Sequence, residues 1–367
     1  MKFVISRENL LKPLNLVAGV VERRQTLPVL SNVLIQLEGS KLALTGTDLE
    51  VELIGRVELP TSGDDGEITV PARKLVDICK SLPDGCDISF QLIDQKVQIS
   101  SGRSKFSLST LAASDFPNIE LDETQQAFNL NQFKLKNLID QTGFAMAQQD
   151  VRYYLNGMLW ELNQGEFKVV ATDGHRLAMA GYGAVEANEN RQAILPRKGV
   201  LELARLLGSE EDDIQVALGS THMRASTAEF TFTSKLVDGK YPDYQRVLPL
   251  SPEKEVIAPR EELRQAFSRV AILSNEKYRG IRLNFAENEL LVAANNPEQE
   301  EAEESVVLDY IYDPLEIGFN VSYLLDVMGV ITGDSVKLSL SDSNSSALVE
   351  SSDDSSTAVY VVMPMKL

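Results

Sequence analysis

The 367-residue sequence matches itself when it is shifted by 125 positions, and that self-similarity constrains the fold more than any average property of the chain. Phe3 falls on Phe128, and each opens a short strand-like run ahead of a helical one. Leu30-Ser31-Asn32 falls on Leu155-Asn156-Gly157, Thr47-Asp48 on Thr172-Asp173, and Phe116-Pro117 on Tyr241-Pro242. Pro71, followed by Ala72-Arg73-Lys74, falls on Pro196, followed by Arg197-Lys198. One constant offset linking five landmarks requires a duplicated structural unit. A third, more diverged copy follows: Val256 to Ala271 repeats the strand-then-helix opening, Ile281 to Phe285 matches the strand after Leu155, and Ile317 to Val321 leads into a helix over 322–330. The expected domains are 1–125, 126–252 and 253–367.

Each repeat has one internal pattern. A short strand leads into an amphipathic helix, as over Arg7–Arg24 with Leu10, Leu11, Leu14, Val17, Ala18 and Val21 at helical spacing. Pro13 early in that segment predicts a kink or a late start. Alternating strands follow, such as Val33–Leu37 and Lys41–Thr45 around the turn Glu38-Gly39-Ser40. A second helix starts just behind Pro71 or Pro196, a context that favours helix starts. The fold class expected is α+β, with each half-repeat a helix laid on antiparallel strands.

The formal charge of −19 argues against nucleic-acid binding if taken as a whole-molecule sum. Its distribution says otherwise. The six helical segments together carry +7, so the acidic charge lies on strands and loops. Helical surfaces collect Lys and Arg in any case, because both are good helix formers. The alternative is one electropositive surface shared by the helices of repeated domains, with an acidic exterior. Repeats that associate head to tail close into rings or grow into filaments. A ring lined by such helices would touch phosphates and not base edges, and would bind DNA independently of sequence.

Several function classes fall away. No apolar run approaches a membrane span and no secretory signal opens the chain, so a cytoplasmic protein is expected. Cys79 and Cys86, the only cysteines, lack redox or zinc spacing and read as reduced structural thiols. No cofactor or metal is expected. Thr-Asp-Gly-His-Arg at 172–176 invites a catalytic reading with His175 as base and Asp173 as its orienter, but no Ser or Cys nucleophile sits in a recognisable elbow and His222 is isolated. Asp48 with Glu50 could form a nuclease carboxylate pair. Since Asp48 and Asp173 share one repeat position, a structural turn explains both.

The runs Thr-Leu-Pro-Val-Leu-Ser-Asn (26–32), Leu-Thr-Gly-Thr-Asp-Leu-Glu (44–50), Gln-Asp-Val-Arg-Tyr-Tyr-Leu-Asn-Gly (149–157) and Ala-Thr-Asp-Gly-His-Arg-Leu-Ala (171–178) resemble the bacterial β sliding clamps, the DNA polymerase III β subunit family. So do Phe-Thr-Ser-Lys-Leu-Val-Asp-Gly-Lys-Tyr-Pro-Asp-Tyr (232–244), the acidic run at 294–304 and the terminal Tyr-Val-Val-Met-Pro-Met-Lys-Leu (360–367). The resemblance covers all three repeats. It implies three processivity-fold domains with helices lining the inside and antiparallel sheets outside, and a head-to-tail homodimeric ring around duplex DNA. The implied activity is non-catalytic: a clamp loader opens the ring, and the DNA polymerase III catalytic subunit, translesion polymerases and mismatch-repair or ligase-type factors dock through short peptides.

By the same resemblance a peptide pocket maps to Arg152, Leu155, Thr172, Gly174, His175, Arg176, Leu177, Pro242, Arg246, Val247, Asn344, Ser346, Val361, Met363, Pro364, Met365 and Lys366. Its Leu and Val residues would supply an apolar floor, and the thioethers could re-pack around different ligands. DNA contacts map to Arg24, Arg73, Lys80, Gln149, Tyr153, Tyr154, Arg197 and Lys198. The dimer interface maps to Lys74, Lys96, Arg103, Lys105, Phe106, Leu108, Ile272 and Leu273 against Glu298, Glu300, Glu301 and Glu304. From the residues alone two other readings stay open: an acidic peptide-binding scaffold that never touches DNA, and a metal-dependent nuclease.

Overall fold

The computed structural model describes residues 1–21, 27–117, 119, 126–183, 185–186, 189–249, 252–353 and 357–366. Within these the chain forms two compact units, 1–133 with 198–236, and 134–197 with 237–367. Each unit holds one eight-stranded and one four-stranded sheet, antiparallel throughout.

In the first unit the four-stranded sheet runs β1 (Lys2–Ser6), β6 (Asp87–Ile93), β7 (Lys96–Ser101), β8 (Ser104–Ser109). The eight-stranded sheet there runs β5 (Gly66–Pro71), β2 (Asn32–Glu38), β3 (Lys41–Thr47), β4 (Val51–Glu58), β16 (Phe230–Lys235), β15 (His222–Ser226), β14 (Asp213–Leu218), β9 (Gln126–Asn131). In the second unit the eight-stranded sheet runs β13 (Arg191–Pro196), β10 (Gly157–Asn163), β11 (Glu166–Thr172), β12 (Arg176–Tyr182), β24 (Val359–Val362), β23 (Ala347–Ser351), β22 (Ser335–Leu340), β17 (Lys254–Pro259). Its four-stranded sheet runs β20 (Glu301–Val307), β19 (Glu289–Asn295), β18 (Gly280–Ala286), β21 (Leu315–Asn320). Raising every strand number of the first eight-stranded sheet by eight gives the second. The repeat seen in the sequence is therefore a repeat of sheet topology. Each long sheet joins strands from consecutive repeats, which is why the compact units cut across the repeat boundaries.

Among the described residues six helices pack on these sheets: α1 (Arg7–Ala18), α2 (Ala72–Ser81), α3 (Gln132–Thr142), α4 (Arg197–Leu206), α5 (Arg260–Val270) and α6 (Val321–Val330). Their burial follows helical spacing. In α2, Leu75, Val76 and Cys79 are buried while Arg73, Lys74 and Lys80 face solvent. Burial raises the Cys79 thiol to about 12, as suits an inert structural cysteine. Among the described residues no helix is long and apolar enough to cross a membrane.

The first helix differs from expectation. It ends at Ala18, with Gly19 as its cap, and Val21 is buried beyond it. Residues 22–26, and with them the proposed DNA contact Arg24, lie outside the described residues. Pro13 sits inside this helix and packs on β4. A Cβ on Gly55 would lie 2.9 Å from that of Pro13, so only glycine admits the approach. The Ser351–Ser356 loop is described only as far as Asp353.

Candidate functional site

The second unit carries a cavity of about 170 Å³ built around one tight turn between β11 and β12. Thr172 Oγ1 donates to the Arg176 carbonyl at 2.6 Å and accepts from the Gly174 amide at 3.0 Å. Asp173 Oδ1 accepts from the amides of His175 (2.9 Å) and Arg176 (3.0 Å), and Oδ2 from Arg176 Nε (3.1 Å). Gly174 has a φ of +89°, and a Cβ there would meet the Arg152 guanidinium at 3.0 Å. Conformation and space thus both require glycine.

Arg152 forms the polar rim. Its guanidinium donates to Asp150 at 3.0 and 2.9 Å and to the Asp173 carbonyl at 3.1 Å. The Arg152 side chain, then the Arg152 amide, hold the Asp150 carboxyl down at about 2. Asn156 closes this loop by bonding both the amide and the carbonyl of Asp150 at 2.9 Å. Arg176 lies with its guanidinium 5.1 Å from the Phe144 ring and 4.6 Å from the Tyr323 ring, and bonds Asp326 at 2.5 Å. Its orientation is fixed on four sides.

The floor is apolar. Leu155, Leu159, Val170, Leu177, Tyr241, Tyr244 and Val361 form one buried cluster, with Tyr154, Val247 and Leu348 packed against it. The tail after β24 supplies a wall, because the Met363 amide donates to the His175 carbonyl at 2.9 Å and the Met365 amide to the Gly318 carbonyl at 2.8 Å. A larger groove, about 750 Å³, runs along the eight-stranded sheet of the first unit. Glu38, Glu58, Glu67 and Glu229 line it, so size alone does not mark the binding surface.

Of the residues expected to form a pocket, Arg152, Leu155, Thr172, Gly174, Arg176, Leu177, Pro242, Val247, Val361 and Met363 line the cavity. His175, Arg246, Asn344, Ser346, Pro364, Met365 and Lys366 do not line it; Asn344 lies in the turn between β22 and β23, and Arg246 is exposed and pairs with Asp243. Asp243 and Tyr244 line it without having been anticipated. The only available signal was their place directly after Tyr241-Pro242.

The DNA-contact candidates divide between the units. Arg73 and Lys80 are exposed on α2, and Lys198 at the start of α4 pairs with the buried carboxylate of Asp48. In the second unit Arg197 donates to the Met146 carbonyl at 3.3 Å. Gln149, with a φ of +56°, and Tyr153, 59% exposed, sit on the loop that Asp150 and Asn156 brace. Tyr154 is half-buried against the cavity cluster, which gives it a packing role as well.

The interface candidates occupy two sheet edges. Lys105, Phe106 and Leu108 lie on β8 with Arg103 just before it and Lys96 on β7, while Lys74 is on α2. Leu108 is already buried in its own unit. Glu301 and Glu304 lie on β20, Glu298 and Glu300 on the turn before it, and Ile272 (76% exposed) and Leu273 follow α5. Arg269 engages Glu304 with two bonds of 3.0 and 2.7 Å, lowering its carboxyl.

Asp48 and Asp173 play the same part in their turns. Asp48 Oδ1 accepts from the amides of Glu50 (2.9 Å) and Val51 (2.8 Å), as Asp173 does two and three residues on. A turn cap accounts for both carboxylates without catalysis.

These features define a clamp-type scaffold: three repeats of helix and sheet joined through shared sheets, with an apolar cavity on the last joint. Profiles of the DNA polymerase III beta subunit match its N-terminal domain at residues 1–120, its central domain at 129–243 and its C-terminal domain at 245–366. The beta sliding clamp of Pseudomonas aeruginosa is 62% identical over 368 residues, and that of Escherichia coli 51% over 367, each match covering 100% of both chains. A crystal structure of the Pseudomonas aeruginosa DNA polymerase III subunit beta superposes with a TM-score of 0.98 at 61% identity over 100% of both chains. The chain belongs to the DNA polymerase III beta subunit family, the beta sliding clamps, and is a DNA sliding clamp, a processivity factor without chemistry of its own.

Proposed function

We propose that two copies join head to tail into a ring around duplex DNA, with domains 1–125, 126–252 and 253–367, and that the cavity docks short peptides of the proteins the ring carries. One observation carries the ring. Each of the two long sheets joins a half of the type β5-β2-β3-β4 to a half of the type β16-β15-β14-β9. The two four-stranded sheets are one half of each type left over, β21-β18-β19-β20 and β8-β7-β6-β1. Pairing β20 of one copy with β8 of another would complete a third long sheet and remove both open edges. The charges support that pairing, since Glu301 and Glu303 lie on β20 while Lys105 lies on β8 beside Arg103 and Lys96.

DNA inside the ring would meet Arg24, Arg73, Lys80, Gln149, Tyr153, Tyr154, Arg197 and Lys198 through its phosphates, with binding that weakens as salt rises. The partners this reading assigns to the cavity are the DNA polymerase III catalytic subunit, the clamp loader, translesion polymerases and mismatch-repair or ligase-type factors. The apolar floor supports the assignment, because a few buried anchors dominate such interfaces while the rim orients the ligand.

The test is a double variant, Ile272→Asp with Leu273→Asp. Charge buried without a partner in an apolar interface is costly, so sedimentation should report a 40.5 kDa monomer where the parent gives twice that mass. Retention on nicked circular DNA should vanish with the dimer. A variant that stays dimeric rules out this interface.

A further inference from the structure

The cavity wall formed by the single turn Tyr244–Val247 rests on a polar contact outside the cavity. Tyr244 opens the turn, is 7% exposed, and its ring belongs to the apolar floor. Its hydroxyl donates to Glu161 Oε2 at 2.5 Å. The other carboxylate oxygen accepts from Gln192 Nε2, also at 2.5 Å, and Glu161 and Gln192 are cross-strand partners on β10 and β13. With both oxygens engaged, the carboxylate cannot swing away from the phenol. Burial and the neighbouring carboxylate push the Tyr244 phenol well above the usual tyrosine range, so it remains a donor at any physiological pH.

The first repeat supplies the contrast. There the cross-strand pair is reversed, Gln36 donating to Glu67 at 3.2 Å, and the position matching Tyr244 is Ile119, which has no hydroxyl. A carboxylate on the β10 strand accompanies the phenol that needs it.

We propose that Glu161 is a positioning residue for the docking cavity, acting through Tyr244 to hold the 244–247 turn and with it the Val247 wall. This rests on the peptide-docking reading above. Without the acceptor, the hydroxyl loses its carboxylate partner and keeps only the Gln245 side chain beside it. The turn then relaxes toward water and carries Val247 away from Leu177 and Val361. The effect falls on the ligand's apolar end and leaves the polar rim at Arg152 in place.

The experiment measures anisotropy of a fluorescein-labelled peptide bearing a Gln and a Leu-Phe end, titrated with the full-length protein. Glu161→Ala should weaken binding about tenfold, the size of one lost hydrogen bond to a carboxylate. Glu161→Gln keeps an acceptor oxygen and should stay within about twofold, given the modest net worth of one hydrogen bond. The double variant Glu161→Ala with Tyr244→Phe should bind no more weakly than Tyr244→Phe alone, because the two groups act as one unit. A peptide whose Phe is replaced by Ala should not distinguish Glu161→Ala from the parent. The proposal is overturned if Glu161→Ala binds like the parent, if Glu161→Gln loses as much as Glu161→Ala, or if both peptides lose affinity equally. Failure of the docking reading looks different: the parent itself would not bind the peptide, or would bind it undiminished after Met363→Asp, and the positioning role would fall with it.

Discussion

Across the eight-stranded sheet of the second unit, neighbouring strands align Thr172 with Leu177, Leu177 with Val361 and Val361 with Leu348. In the first unit the same lattice positions align Thr47 with Glu52, Glu52 with Thr233 and Thr233 with Arg224. The backbones match strand for strand, and the threonine at the head of the row is common to both. What differs is the row itself, three aliphatic side chains in one copy and an acid, an alcohol and a base in the other. The first copy buries its acid. Glu52 is 6% exposed, and burial pushes its carboxyl above the usual range while Arg224 and the Ile119 amide pull the other way. Among the described residues Val29, Leu30 and Phe116 cluster there with Leu34 against them, where the second copy has nine buried members around an open cavity. One duplicated frame therefore carries an aliphatic row beside an apolar cavity in one copy and a polar row in the other.

The harshest way to break the comparison is to write the first row into the second. Leu177→Glu alone brings a carboxylate under Val361 with no arginine at position 348. An uncompensated buried charge costs about 3–5 kcal/mol, so urea unfolding should show a loss of that order. Binding of the Leu-Phe peptide should fall more than about a hundredfold, as expected when a central anchor contact is replaced by charge. Unchanged binding would mean that Leu177 is not part of the floor the ligand uses.

The reverse exchange has a smaller expected effect of opposite sign. Glu52→Leu, Thr233→Val and Arg224→Leu together put the second row into the first. Exchanging a buried acid and its neighbouring cation for packed aliphatic groups is neutral or stabilising by up to about 4 kcal/mol. Among the described residues Arg224 Nε has no hydrogen-bond partner, which favours the stabilising end. Peptide stoichiometry should stay at one per chain, because the turn wall that Tyr244 supplies in the second copy has Ile119 in its place here. A second binding event in titration calorimetry would show that the row alone decides which copy binds.

The offset of 125 residues contained much of this in advance. It aligns Thr47 with Thr172, Leu30 with Leu155 and Phe116 with Tyr241, and the structure places each pair in matching turns and clusters. It also aligns Glu52 with Leu177, so the contrast between the copies was open to reading. What stayed hidden were contacts between distant positions. Glu161 and Tyr244 are 83 residues apart, and nothing local marks either as the other's partner. Pairing of β4 with β16 and of β12 with β24, which turns three repeats into two long sheets, is equally non-local. The early end of α1 was missed for a different reason: apolar spacing continues through Val21, and periodicity cannot distinguish a buried helical residue from a buried one just past a glycine cap.

The mildest prediction concerns the turns themselves, which match in geometry but not in the charge they hold. Asp173 spends its second oxygen on Arg176, three residues along the same turn, whereas Asp48 reaches Lys198 at the start of α4. Lys198 is among the residues assigned to DNA, so in the first unit the turn aspartate competes with phosphate for a cation. Asp48→Asn keeps Oδ1 as acceptor for the amides of Glu50 and Val51, so the turn should survive, while the charge opposing Lys198 is removed. A lysine that gains one phosphate contact steepens the salt dependence by about one unit in the log–log slope. Retention on nicked circular DNA, followed as salt is raised, should therefore persist to higher salt in the variant, with a slope steeper by about that amount. The matching change Asp173→Asn should leave the slope alone, since Arg176 remains held by Asp326 and by the rings of Phe144 and Tyr323. Equal slopes for Asp48→Asn and the parent would mean that Lys198 serves to tie the β3–β4 turn to α4 and does not reach the DNA.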